Sequence, residues 1–426
     1  MTPLPPQLLP LTSRVSDDGR LSVGGVDLLD LAAEQGTPLF VYDEEQLRLR
    51  CQEAVAAFGD GVAYAAKAFL CRAMASLAHE EGMCIDVSTG GEMHVALAAG
   101  VPAERLVLHG NNKSLDELVL ALDTGVGRIV VDSFDEIDRL EELVSAGRRP
   151  SRPKVLLRIT PGIEAHTHEY VRTGQDDSKF GFTVATGMAA EAARRLRESA
   201  SVDLVGVHAH IGSQIFLLAS FVKAVEVIAD FFLPLGLAEL CLGGGLGVAY
   251  VEGEEAPTIE EWAETVLSAC SAAGIPSATR ITAEPGRAVV AAAGLTLYRV
   301  GTVKDLPGIR TYVSVDGGMS DNPRPVLYGS GYEAFLPRAT RAERSHVATV
   351  VGKHCESGDV VVRDACLPAD LVVGDILATP VTGAYGHSMA SNYNKVPRAP
   401  VVFVRDGRAR VVVRRETYDD LLRLEL

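Results

Sequence analysis

Eight short apolar runs recur between residues 62 and 284, each followed by a helical, Ala- and Leu-rich stretch, and no other feature narrows the fold so far. The runs are 62–66 (VAYAA), 84–88 (CIDVS), 106–109 (LVLH), 128–132 (RIVVD), 155–160 (VLLRIT), 204–210 (LVGVHAH), 240–243 (LCLG) and 281–284 (ITAE). Amphipathic segments such as 91–99 (GEMHVALAA) and 115–122 (LDELVLAL) lie between them. Strands alternating with helices indicate βαβ units and a parallel sheet. Eight such units predict a TIM-type (β/α)8 barrel, which takes about 250 residues and carries its active site at the C-terminal strand ends. An open doubly wound sheet is the alternative.

Past about residue 290 the helical pattern fades. Short strand-like runs at 295–303, 311–316, 346–351, 360–363, 400–404 and 408–414 are spaced by turn signals such as Asp316-Gly317-Gly318 and Asp406-Gly407. They predict an antiparallel β domain, to which 20–26 (RLSVGGV) adds a strand. The expected division is a barrel over 38–290 and a β domain built from 1–37 and 291–426.

A chain of 426 residues with 47% hydrophobic and 23% charged residues has ample core for two domains. Its formal charge of −16 argues against a nucleic-acid partner, since phosphate binding needs a basic face. No apolar run approaches the roughly 20 residues of a membrane span. No secretory leader is expected from the first residues, which lack a basic stretch followed by an apolar one. The seven cysteines form no CxxC pair, which fits reduced thiols in the cytoplasm.

The chemically informative residues stand at or just after the strand ends. Lys67 follows VAYAA directly. A lysine alone there is ordinarily a solvated surface residue, but one buried at a strand end gains a nucleophilic amine. His208 and His210, two apart on a strand, share a face. With no acid or cysteine at ligand spacing, they read less well as a metal pair than as an imidazole lying on a flat ring, with Ser213 at hand for an anion. The Gly243-Gly244-Gly245-Leu246-Gly247 turn lets backbone N–H groups approach a phosphate, and lacks the spacing of a dinucleotide fingerprint. Glu284, before Pro285-Gly286-Arg287, can hold a ring nitrogen protonated, and Arg287 can bind an anion in two-pronged fashion. Cys355-Glu356, Arg324, Tyr328 and Tyr385 are further polar candidates on Gly/Pro loops of the second domain.

Taken in order, 64–68 (YAAKA), 208–214 (HAHIGSQ), 243–247 (GGGLG), 284–287 (EPGR), 316–324 (DGGMSDNPR), 355–359 (CESGD) and 383–386 (GAYG) resemble the fold type III decarboxylases dependent on pyridoxal 5'-phosphate (PLP). Within that family the likeness is nearest to the branch acting on diaminopimelate. The resemblance runs from about residue 38 to the C-terminus. It implies Lys67 as the Schiff-base lysine, with Asp86 as the acid beside it and His210 lying on the pyridine ring. It implies Ser213, Gly243, Gly244, Gly245 and Gly286 around the phosphate, and Glu284 on the ring nitrogen. Arg287, Arg324, Tyr328 and Glu356 would take the far end of a small amino-acid substrate, and Tyr385 would lie between substrate and cofactor. Cys355 would be the proton donor, reaching the site with Glu356 from a partner subunit, so the resemblance also implies a homodimer. No metal is implied.

An arginine and a glutamate together suit a substrate carrying a carboxylate and an amine at its far end. Relatives acting on ornithine or arginine bind a distal cation there, which calls for acids rather than an arginine. A carboxynorspermidine decarboxylase shares these motifs; an amino-acid racemase needs no Cys355-Glu356 pair, and a non-catalytic homologue needs neither Lys67 nor Cys355. One departure is Phe69 (KAF), where many relatives have asparagine; it is expected to alter packing beside the lysine and leave the chemistry intact.

Overall fold

The computed structural model describes residues 4–147, 152–163 and 177–426. Two compact units emerge, one of Arg50–Gly247 with Ala256–Ala288, the other of Met1–Leu49, Val248–Glu255 and Val289–Leu426.

In the first unit the eight predicted runs are eight parallel strands: Ala63–Ala65, Cys84–Val87, Leu106–Leu108, Arg128–Val131, Lys154–Thr160, Asp203–Ala209, Glu239–Cys241 and Arg280–Thr282, hydrogen-bonded in that order. The ends join, because the N–H groups of Ala63 and Ala65 donate to the carbonyls of Ala283 and Pro285 at 3.0 and 3.2 Å. That closes a TIM-type barrel and rules out the open sheet. The helices between strands start where local chemistry says they should. Ser114 with Glu117 and Thr258 with Glu261 form reciprocal capping boxes ahead of Leu115–Thr124 and Ile259–Ala272. The second of these helices buries Trp262, which packs edge-on against Phe58.

Inside the barrel Ala63, Cys84, Val107, Val130, Leu156 and Cys241 form one apolar layer. Side chains two positions further along a strand point the same way. That step gives Ala65, Asp86, His109, Asp132, Arg158 and Gly243, together with His208 and Glu284 from the neighbouring strands. An apolar floor therefore carries a charged layer toward the C-terminal strand ends.

The second unit centres on the 13-residue strand Gly294–Leu306. Its first half is buried between Leu39–Asp43 and Ile376–Pro380, and its second half pairs with Arg310–Val315. Eight strands make up the sheet. It is mainly antiparallel with two parallel pairings, of His346–Val351 with Arg310–Val315 and of Val401–Arg405 with Leu39–Asp43. Leu39–Asp43 thus pairs on the β side of the boundary expected at residue 38. All five of its residues are buried, so it shows none of the alternation that marks a half-exposed strand. The N-terminal segment differs from expectation as well. Arg14–Val15, Leu21–Val23 and Val26–Asp27 form a small sheet of their own, because Gly24 and Gly25, both at positive φ, turn the chain back on itself before it can join the larger one.

Candidate active site

Lys67 sits one step beyond the first barrel strand, on the 3-10 turn Ala66–Ala68. Its side chain is exposed, which corrects the expectation of a buried strand-end amine: the turn lifts it out of the packed layer. The turn itself is rigidly seated. Phe69 is fully buried, and the Tyr64 hydroxyl donates to its carbonyl at 2.6 Å. The amine's charge acts on Asp86, Glu92 and His210, which places those groups around it.

Glu284 is the hub of the charged layer. Its Oε1 lies 2.9 Å from His109 Nε2 and its Oε2 2.9 Å from His208 Nε2. Burial works to raise the Glu284 pKa, but the two imidazoles together outweigh it and hold the carboxyl well below the usual carboxylate range. Burial pushes His208 down to about 4, so it is neutral and donates through Nε2–H. His109 goes the other way: burial disfavours its charge, yet Asp86 and Glu284 raise it above the ordinary imidazole value. Asp86, 3.6 Å from His109, is pushed up to about 6 chiefly by burial, and its Oδ1 has no hydrogen-bond partner. Below this group, Arg158 lies 3.5 Å from Asp132 and stacks on the Phe180 ring at 4.4 Å.

The three ligand atoms of His109, His208 and Glu284 fall within 4.8 Å of one another, so His208 does have an acidic neighbour, contrary to the sequence reading. Both contacts have hydrogen-bond lengths with the imidazole nitrogens aimed at the carboxylate oxygens. His109 is one residue of this layer that sequence reasoning missed. Its signal was a histidine ending the run LVLH, two residues past the buried Val107.

Around this layer the predicted glycines are required by close approach. A Cβ on Gly243 would lie 2.5 Å from the Ala209 carbonyl, one on Gly244 2.3 Å from that of Glu284, and one on Gly245 2.3 Å from that of Gly212. At Gly286 it would meet the Ala65 Cβ at 2.9 Å. The Gly244 N–H donates to His210 Nδ1 at 3.2 Å, which fixes the ring's orientation and puts its proton on Nε2. Burial, with the charges of Lys67 and Arg158, holds His210 well below the ordinary imidazole range, so the ring is neutral. Arg287 donates to Ser213 Oγ at 3.0 Å, bringing a guanidinium and a hydroxyl together beside the glycines.

These features fit PLP. The ionised Glu284 carboxylate keeps one lone pair per oxygen after both imidazole bonds, enough to hold a ring N–H. The glycine turns with Ser213 and Arg287 offer backbone and side-chain donors to a phosphate, and Lys67 supplies a primary amine for an aldehyde.

The remaining predicted residues belong to the second unit. Arg324 opens the short helix Arg324–Tyr328 and is 5% exposed. Its Nη1 donates to the Tyr332 hydroxyl at 2.5 Å, and its guanidinium lies 4.3 Å above the Tyr250 ring. Neither tyrosine was singled out from the sequence, since nothing in a lone Tyr marks it as the wall of an arginine site. Tyr385, half-buried at φ 59°, acts electrostatically on Arg324, and Tyr328 ends the same short helix. Cys355 and Glu356 stand exposed on a loop. Among the described residues no hydrogen bond or ion pair joins them to Arg324.

Residues 44–291 match the family described as pyridoxal-dependent decarboxylase, pyridoxal binding domain. The diaminopimelate decarboxylase of Mycobacterium tuberculosis is 47% identical over 444 aligned positions, covering 99% of this chain and 98% of the relative. That of Bacillus subtilis is 47% identical, covering 97% of each. Among solved structures, the M. jannaschii diaminopimelate decarboxylase in complex with L-lysine superposes with a TM-score of 0.90 at 31% identity, over 98% of both chains. The fold, the ionised Glu284 within its glycine turns and these likenesses agree: the chain belongs to the pyridoxal-dependent decarboxylase family and, within it, to the diaminopimelate decarboxylases.

Proposed function

We propose that this chain is a PLP-dependent carboxy-lyase that converts meso-2,6-diaminopimelate to L-lysine and CO2, the last step of lysine biosynthesis by that route. The observation that carries the substrate assignment is Arg324. Its guanidinium is buried against Tyr250 and Tyr332 and meets no carboxylate among the described residues. A buried arginine without an acid is costly unless a ligand supplies the anion. The distal carboxylate of diaminopimelate does so, and Glu356 with Tyr328 takes the amine beside it.

PLP, when bound, supplies an electron sink for the carbon that loses CO2. Lys67 would carry the cofactor, with Asp86 as the acid near the amine. Glu284, kept ionised by His109 and His208, would hold the ring nitrogen protonated, and His210 would lie on the ring. Ser213, Gly243, Gly244, Gly245 and Gly286 would hold the phosphate, with Arg287 serving phosphate and substrate. Tyr385 would lie between cofactor and substrate. The Cys355 thiol returns a proton to the carbon that has lost CO2. In this reading the enzyme is a cytoplasmic homodimer whose Cys355 and Glu356 serve the partner's site. The barrel unit would hold the cofactor, and the β unit would contribute substrate residues.

The test is CO2 release by the purified holoenzyme from a panel of meso-diaminopimelate, L-ornithine, L-arginine and carboxynorspermidine. Release from the first with formation of L-lysine supports the reading. Release from one of the others and none from diaminopimelate overturns it.

A further inference from the structure

His354 is a buried histidine next to the exposed Cys355. Its Nε2 lies 2.8 Å from Ser320 Oγ and its Nδ1 3.1 Å from Asn394 Oδ1, while its ring tilts against Tyr393 with centroids 5.3 Å apart. Because the Asn394 oxygen can only accept, Nδ1–H donates to it, and the Ser320 hydroxyl pairs with Nε2. Three separate stretches of chain meet at this ring: the one before Arg324, the one holding Cys355, and 391–395. The Ser391 N–H also donates to the Ser320 carbonyl at 3.0 Å, closing the set.

A second clamp works alongside. Asp359 accepts from the Met319 N–H at 2.6 Å and from the His354 N–H at 2.9 Å. A Cβ on Gly352 would lie 2.1 Å from its carboxylate and one on Gly318 2.6 Å away, so both segments are drawn tight against it. The Gly352 N–H donates to the Asp359 carbonyl, and the Asp359 N–H to that of Glu356, which pinches the ends of the loop together. Asp359 therefore shapes the loop, and His354 ties the shaped loop to its surroundings through a side chain. Between these two anchors Cys355 and Glu356 project outward.

We propose that His354, held between Ser320 and Asn394, is a positioning residue that fixes the Cys355–Glu356 loop for proton delivery. The proposal deepens the decarboxylase reading and rests on it for the role of Cys355. In the step concerned, the Cys355 S–H bond breaks as a C–H bond forms at the carbon that has lost CO2, and the thiolate regains a proton from solvent. A donor displaced by an ångström loses that step, and Glu356, carried on the same loop, shifts with it.

The experiment compares wild-type holoenzyme with His354→Leu, which cannot make either hydrogen bond, and His354→Gln, which can donate and accept. Ser320→Ala, removing one hydroxyl, serves if the leucine variant does not fold. The expected result for His354→Leu is a kcat lowered about 10- to 100-fold with a smaller rise in KM for meso-diaminopimelate as Glu356 shifts with the loop, and with His354→Gln nearer wild type. A second readout is the rate of Cys355 alkylation by iodoacetamide, followed by peptide mass mapping to separate it from Cys366; it rises several-fold once the loop is released. An unchanged kcat, a loss confined to KM, or an alkylation rate that is unchanged or slower overturns the proposal. If wild type releases no CO2 from diaminopimelate, the decarboxylase reading fails, while the alkylation comparison still decides whether His354 holds the loop.

Discussion

His208 Nε2 lies 2.9 Å from Glu284 Oε2, in a site where both side chains are almost wholly removed from water. The contact explains how a carboxylate stays ionised inside a barrel: a neutral imidazole donates to it on one side, and His109, favoured in its charged form, does so on the other.

His208 contributes one pH-dependent part of the stability. Its folded pKa of about 4 lies below the ordinary 6.5. Its contribution is therefore complete above pH 6.5 and is lost as pH falls toward 4, amounting to at most about 3 kcal/mol. His109, with a raised pKa, contributes in the opposite sense, so the two are separated only by difference. Urea unfolding of cofactor-free wild type and His208→Gln between pH 7 and 4.5 should show wild type losing stability more steeply. Parallel curves would contradict the assignment.

Replacing Glu284 with glutamine keeps the shape and removes the charge. The expected outcome is a kcat lowered about 100-fold or more, by analogy with losing one preorganised electrostatic contact, while cofactor is retained. Stopped-flow CO2 assays with cofactor quantified in the same sample check it.

Gly244→Ala forces a Cβ to within 2.3 Å of the Glu284 carbonyl. Backbone has to move at the end of the last barrel strand, and overpacking of this kind costs about 1–3 kcal/mol. Thermal unfolding should show the loss, and equilibrium dialysis should show weaker PLP binding. Gly301→Ala, where a Cβ meets only the Ser314 carbonyl at 3.9 Å, is the control.

Arg324→Lys retains a positive charge but not the planar fork that stacks on Tyr250. Expressed in kcat/KM for meso-diaminopimelate, the loss should be on the order of 2–4 kcal/mol, the scale of breaking a buried charge contact, and should fall mainly on KM. Steady-state kinetics decide it; an unchanged KM would remove Arg324 from the substrate site.

Much of this was legible beforehand. All eight barrel strands were marked by short apolar runs between helical segments, because strands buried on both faces must be apolar throughout. Leu39–Asp43 is equally apolar and is followed by the helix Glu44–Phe58, yet it pairs with strands more than 250 residues later, a relation local pattern does not carry. The glycine turns, Glu284 and Arg287 stood out as motifs. His109 and Asp132 did not, since strands of three and four residues are too short for alternation to separate inside from outside, and Arg158 did not because its seven-residue strand is buried at every position but the first. Tyr250 and Tyr332 became visible only when the fold placed them around Arg324. The exposure of Lys67 likewise depends on a single 3-10 turn after its strand.

The central claim is that Lys67 carries the cofactor at the mouth of this barrel. Borohydride reduction of the holoenzyme, followed by proteolysis and mass mapping, tests it most directly. The account predicts the pyridoxyl mass on the peptide containing Lys67 and no such adduct in Lys67→Ala. An adduct on Lys113 or any other lysine, or none in the wild-type holoenzyme, would contradict it.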